Sequence, residues 1–178
     1  MKAKPPRAFR NSQWSMCSEW FDEPNISFAR EKAHVDPKVG IPLYGPYSLG
    51  TNRHKKEIHF GFIGTGEGVE KAIKFYLDCA EGVAGDDQHA PFPGCKSDLG
   101  YCCELKIESK MIEKITHSEL REVCKIRRQR ERFEATLILL ESKLRLLTEK
   151  DHPLDYVVLV VPPEVLASVV LPIISKRA

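Results

Sequence analysis

Gly64-Thr65-Gly66-Glu67-Gly68 lies between a strand signal and a helix signal, where free backbone N–H groups often hold phosphate. The spacing is G-x-G-x-G, not the G-x-G-x-x-G of dinucleotide sites, and no P-loop lysine and hydroxyl pair follows. Glu67 also sets a negative charge at the helix start, so a tight turn before a helix is the simpler reading. A second set, Lys125, Arg127, Arg128, Arg130 and Arg132, enters a long helix and is suited to neutralising phosphates of a nucleic acid. Glu131 and Glu134 lie among these cations, and Arg130–Glu134 has the spacing of an i,i+4 pair on a solvated face. Arg53, His54, Lys55 and Lys56 form a shorter basic run that reads equally well as a solvated loop.

Other constellations resolve toward structure. His89, Cys95, Cys102 and Cys103 share one loop, but structural zinc favours C-x-x-C pairs, and adjacent cysteines point apart in an extended chain. His117-Ser118-Glu119 matches the H-x-E of zinc deaminases without the partner P-C-x-x-C. No G-x-S-x-G elbow is present. His34 and Asp36 can be read as an acid–base pair, yet Asp36-Pro37 is more simply a turn former that pins its segment to the rest of the chain. No metal, cofactor or catalytic residue is expected.

The elements that must position these residues belong to a chain of 178 residues, 42% hydrophobic and 29% charged, enough to bury one core. A net charge of +2 does not by itself argue for nucleic acid; the placement of the charges must. The first 17 residues hold cations but no apolar run, and the most apolar stretch, 157–174, is broken by Pro162, Pro163, Glu164 and Pro172. A cytoplasmic protein with no membrane contact and six reduced cysteines is the expectation.

Residues 1–25 read as an irregular tail whose Trp14, Trp20 and Phe21 dock on something. Residues 26–56 read as an arm: a strand over 26–30, then a stretch rich in Pro and Gly expected to run extended and not to form a helix. The α/β domain spans 57–165. Ile58, Phe60 and Phe62 alternate in a strand over 57–64, Thr65 caps a helix, and Gly82 closes it. A long loop follows, then a strand over 104–108 and a helix from Ser118. A long helix spans 127–150, with Phe133, Leu137, Leu140, Leu144 and Leu147 as its stripe. The run 155–161 reads as a central strand buried on both faces, against which that stripe packs. Strands alternating with helices imply a Rossmann-like α/β lobe with a short parallel sheet.

The segment His34-Val-Asp36-Pro37-Lys-Val-Gly40-Ile-Pro-Leu-Tyr44-Gly45-Pro46-Tyr47 resembles an extended motif of prokaryotic Argonautes that stands just ahead of their MID domain. The elements that follow are similar in order: a strand ending in glycine, a helix, a loop with Pro91-Phe-Pro-Gly94, a long charged helix, and a strand ending in Pro162-Pro163. The resemblance covers roughly residues 24–165. It implies a module that anchors a short RNA or DNA guide, in defence against invading nucleic acid, with guide or target strand as partner. In that family the pocket for the guide's 5′ phosphate and the acidic residues of the PIWI domain lie beyond the strand matched here by 155–161. The 17 residues after Val161 hold no Tyr, no Gln and one Lys, Lys176, so neither set carries over. The expectation is a front piece that binds and does not cleave, whether truncated, a fragment or half of a split system.

Two other functions fit the pattern. A small-molecule or nucleotide-binding enzyme would place its site near Thr65–Gly68 and Pro162. An interaction module would dock its aromatic tail and its apolar end, 165–174, on a companion chain. That apolar end, which overlaps a remnant over 166–178, has the composition of an aggregation-prone strand.

Overall fold

Alternating apolar residues and a clean cap produce the first lobe elements where the sequence places them. The computed structural model describes residues 21–96 and 100–167; Trp14, Trp20 and residues 168–178 lie outside these. Strand β3 covers Glu57–Gly64 and helix α2 covers Gly66–Glu81. The Thr65 hydroxyl accepts from Gly68 N at 3.2 Å, and Gly82, at φ 96°, closes the last turn onto Asp78 and Cys79. Before them come β1 (Ile26–Ser27), β2 (Ala33–His34) and α1 (Pro37–Tyr44). After them come β4 (Glu104–Lys114), α3 (His117–Lys125), α4 (Gln129–Thr148), β5 (Tyr156–Leu159) and the single turn α5 (Pro163–Val165).

The sheet is parallel with order β4-β3-β5. The two faces of β3 take different helices. Phe60 and Phe62 meet Tyr76 of α2 at ring-centroid distances of 5.0 and 5.7 Å. On the opposite face Ile63 joins Met111, Ile115, Leu120, Leu147 and Val165 in one buried cluster, which brings in α3, α4 and α5. The result is a three-layer α/β/α lobe. Phe62 and Ile63 are 0% and 1% exposed, so β3 is the strand buried on both faces.

That corrects the reading of 155–161 as the central strand. β5 is an edge strand of four residues, with Tyr156, Val157 and Leu159 exposed. Its continuous apolar run satisfies the pattern of two-sided burial, but a three-stranded sheet has only one interior strand. The long helix meets its expected face only in part: Leu140 and Leu147 of the stripe reach the core and the other three do not. Phe133, Leu137 and Leu144 are exposed, while Thr136 and Leu147 are buried and Leu139 and Leu140 pack on the core. Helix α4 packs chiefly on β4, β3 and α3. Leu137, Ile138, Leu139, Leu140, Leu144, Leu146 and Leu147 surround the helix, so apolar period alone does not choose a face. The polar partners choose it: Lys143 pairs with Glu119 at 2.7 Å, and Lys150 pairs with Glu113 at 2.6 Å, while Thr136 sits buried with its hydroxyl satisfied by Arg132 O of its own helix at 2.8 Å.

Strand β4 runs six residues past its expected end because it carries a wide bulge. Phe60 pairs with Ile107 and Phe62 with Ile112, two residues along β3 against five along β4. Lys150 Nζ donates to Lys110 O within the bulge, so the end of α4 clamps the irregularity. Thr116 and Glu119 then start α3 with a capping box, Thr116 N donating to the Glu119 carboxylate at 2.7 Å.

In the arm the expected strand over 26–30 shortens to a two-residue hairpin partner, Ile26 opposite His34. A 3-10 turn, Ala29–Glu31, joins its strands, with Arg30 and Glu31 both left-handed at φ 57° and 58°. The expected extended stretch instead contains α1. Asp36 accepts from Lys38 N at 2.8 Å and Pro37 occupies the first turn, where its missing N–H costs nothing. The residues taken as turn formers are equally the residues that start a helix.

Leu147 and Leu137 separate these two faces of α4 by experiment. Leu147→Ala is expected to cost about 2–5 kcal/mol, and Leu137→Ala to stay within about 0.5 kcal/mol, both read as urea midpoints with unchanged slope. Equal losses at the two sites would mean that the apolar stripe faces the core after all.

Candidate nucleic-acid interface

The basic residues expected at the helix junction are brought together but are largely engaged. Lys125 pairs with Glu122 at 2.6 Å, Arg128 with Glu131 at 2.9 Å and Arg130 with Glu134 at 3.0 Å. Arg132 turns back to cap α3, donating to Ile126 O at 2.8 Å. Arg127 is exposed and has no carboxylate partner among the described residues. Each pair is exposed and weak, but at a distance it presents no net charge to a phosphate.

The second basic run is divided. Lys55 Nζ donates to the Asp155 carboxylate, which also accepts from His59 N at 3.0 Å. Those two bonds, Lys55 first, hold the Asp155 carboxyl below the usual carboxylate range, and the bond to Asp155 raises Lys55. Asp155 thereby ties β5 to the start of β3. Lys56 is exposed beside Lys96 and Glu104, and its carbonyl accepts from Glu104 N at 2.7 Å.

The arm motif is built from structural parts. His34 Nδ1 accepts from Asp36 N at 2.9 Å, so the imidazole and the carboxylate both serve the start of α1. A Cβ on Gly40 would lie 2.2 Å from Phe28 Cζ; only glycine lets the buried Phe28 ring lie on the helix. Tyr44 packs on the same ring at 6.2 Å. Gly45, at φ 77°, ends α1 by donating to Ile41 O at 2.8 Å, and its own carbonyl accepts from Ala29 N at 3.4 Å. Pro46 O accepts from Leu49 N at 2.9 Å, opening the turns that lead to β3.

What the sequence reading missed is how charge is divided. Residues 26–56 hold Arg30, Lys32, Lys38, Arg53, Lys55 and Lys56 against Glu31 and Asp36, a surplus of four, whereas the whole chain totals +2. Among the described residues, Lys55 is the only one of these six cations with a carboxylate partner. Counting charge by segment would have found this; the near-neutral total conceals it. Around this surface Arg30, Tyr47, Thr51 and Arg53 line a cleft of about 650 Å³.

The glycine-rich turn is a packing device. A Cβ on Gly64 would lie 2.8 Å from Val160 Cβ, and one on Gly68 would lie 3.1 Å from Val160 Cγ1. Chain following β3 goes to one face of the sheet and chain following β5 to the other, so this is the topological switch point where α/β folds seat ligands. Val160 fills it. Glu67 at the helix start is bound to Lys71 at 2.6 Å.

The loop after α2 is tied down, not open. Val83 and Phe92 form an antiparallel bridge, Gly82 and Gly94 approach in left-handed conformations, and Cys103 N donates to Cys95 O at 2.8 Å. Burial, and then the neighbouring Cys103 and Cys79, push the Cys95 thiol up to about 11, leaving no thiolate for nucleophilic work at neutral pH. No grouping of His, Cys, Asp and Glu suited to a metal occurs among the described residues. Glu119 of the H-x-E triplet is committed to its cap and to Lys143. No described helix is long and apolar enough to cross a membrane. The chain matches no family model and no curated protein.

Asp155 supplies a pH test of the tie between arm and sheet. Its folded pKa is lowered, so its contribution is present above the unfolded value near about 3.9 and is lost as pH falls through the folded value. Asp155→Asn is therefore expected to lower the urea midpoint at neutral pH, with the gap from wild type closing as pH drops below about 4. A constant gap down to acid pH would show that the carboxylate's charge is irrelevant.

Proposed function

We propose that this chain is an Argonaute-like MID-region module that binds single-stranded nucleic acid and takes part in guide handling. The observation that carries the reading is the surplus positive charge on residues 26–56, largely unpaired, on the segment whose motif resembles that family. The order of the lobe, strand, capped helix, tied loop, strand, two helices and strand, supports the same resemblance. The role proposed for these residues is binding. A nucleotide-binding enzyme is disfavoured because Val160 occupies the crevice at the switch point.

One observation favours a second reading, an interaction module for a companion chain. Phe133, Leu137 and Leu144 leave an apolar strip exposed along α4. The two readings are compatible if the strip takes a protein and the arm takes a nucleic acid.

Fluorescence anisotropy with a labelled single-stranded oligonucleotide tests the first reading. Binding is expected at low salt, with log affinity falling linearly in log salt by roughly 0.7 for each phosphate contacted. Affinity that does not respond to salt, or no binding at low salt, would remove it. With Mg²⁺ or Mn²⁺ and a guide, the purified chain is expected to leave a complementary strand intact.

A further inference from the structure

We propose that a single strand of nucleic acid lies in a trough on the arm, with Arg30 and Arg53 on its phosphates and a base stacked on Tyr47. The proposal rests on the nucleic-acid reading above and places the strand away from the α3–α4 junction.

Two clefts make the trough. The first, about 650 Å³, is lined by Arg30, Glu31, Tyr47, Asn52 and Arg53 among others, and lies in the size range that holds a small ligand. The second, about 330 Å³, shares Ser48 and Arg53 with the first and reaches Lys55 and Tyr156. Arg53 therefore stands at the seam, and the path runs from the hairpin turn of the arm to the edge strand of the lobe.

The charge along this path is available. Arg30 and Arg53 have no carboxylate partner among the described residues, and Glu31 is the only acidic residue lining either cleft. At the helix junction Lys125, Arg128 and Arg130 each hold a carboxylate that a phosphate must displace, whereas Arg30 and Arg53 hold none among the described residues. Guanidinium groups suit the task because their planar fork matches two phosphate oxygens. Exposed rings stand at both ends: Tyr47 is 70% exposed, and Tyr156, which stacks on Phe60 at 5.7 Å, is 58% exposed. Cations interleaved with exposed rings are the arrangement that binds single strands, with backbone on charge and bases on π-faces. An acidic peptide would use the arginines and leave the rings idle.

The mount is fixed as well. Arg30 projects from a left-handed turn closed by Phe28 N donating to Lys32 O at 2.7 Å, and the Phe28 ring is held over Gly40. The backbone beneath the guanidinium is thus held by a hydrogen bond and by packing, which reduces the ordering cost of binding.

The test uses the whole chain and a labelled oligothymidylate of about 12 nucleotides, within the span that such surfaces cover. Arg30→Ala with Arg53→Ala is expected to weaken binding about tenfold or more and to lower the salt slope by about 1.4, two single-strand phosphates. Tyr47→Ala is expected to weaken binding about tenfold at unchanged slope, with Tyr47→Phe like wild type. Arg128→Ala with Arg130→Ala should change affinity less than about twofold. If the arginine pair and Tyr47→Ala both bind like wild type, the trough is overturned while the functional reading stands. If wild type binds no oligonucleotide at low salt, the functional reading falls and the trough with it. Polyglutamate competing as well as the oligonucleotide would also overturn the trough, by showing a generic basic patch. Should Arg30→Ala lower the melting temperature, Arg53→Ala and Tyr47→Ala, both outside the left-handed turn, decide the matter alone.

Discussion

The lobe depends on the absence of side chains at two positions of its central strand. A Cβ on Gly61 would lie 2.6 Å from Leu147 Cδ2 and 2.9 Å from Leu154 Cδ1, so glycine there lets α4 and the chain after it settle on β3. Gly64 gives the same room to Val160 as the chain leaves β5. Between them Phe62 and Ile63 fill opposite layers completely. A strand with one bulky face toward α2 and one recessed face toward α4 sets the spacing of all three layers. Leu147, the side chain that enters the recess, is accordingly the most deeply buried residue of a helix otherwise ringed with exposed leucines.

Local chemistry made the first half of the lobe legible. Alternation in β3, the Thr65 cap and the Gly82 stop are each decided by neighbours in sequence, and each stands where the pattern puts it. Elements decided by distant partners were not legible. The face of α4 was hidden because apolar residues encircle it, and Glu119 and Glu113, which orient it through Lys143 and Lys150, lie on other elements. The edge position of β5 was hidden because a valine run is written alike for an interior strand and for an edge. The arm was misread for a different reason: Asp-Pro begins both turns and helices, and Gly40 is explained only once Phe28 is seen lying on it. Of the site, the sequence showed the dense cations around the start of α4 and the run holding Arg53, but passed over Arg30, because an i,i+4 pair such as Arg130–Glu134 is visible in a sequence and the approach of distant residues is not.

Charge in this molecule accordingly has two uses. Within the lobe, carboxylates and ammonium groups meet across elements or along helices and are spent on geometry: Glu119 starts α3 and holds α4, and Lys150 clamps the bulge of β4. On the arm, two carboxylates face six cations, and one of the two, Asp36, accepts from the backbone at the start of α1. The surplus is left to whatever approaches from solution, and long-range attraction of a polyanion acts there first.

The bond from His59 N to Asp155 spans 96 residues of sequence, and β5 meets β3 nowhere closer. Strand β3 and its other neighbour are joined by one helix and a loop, so that pairing closes a much shorter segment. On a ribosome adding about 5–20 residues per second, the β5 edge of β3 stays vacant for several seconds after β3 itself has emerged. Phe60 and Ile63 lack their β5 neighbours through that interval. The βαβ half can pair early, and the sheet can be completed only after β5 has emerged.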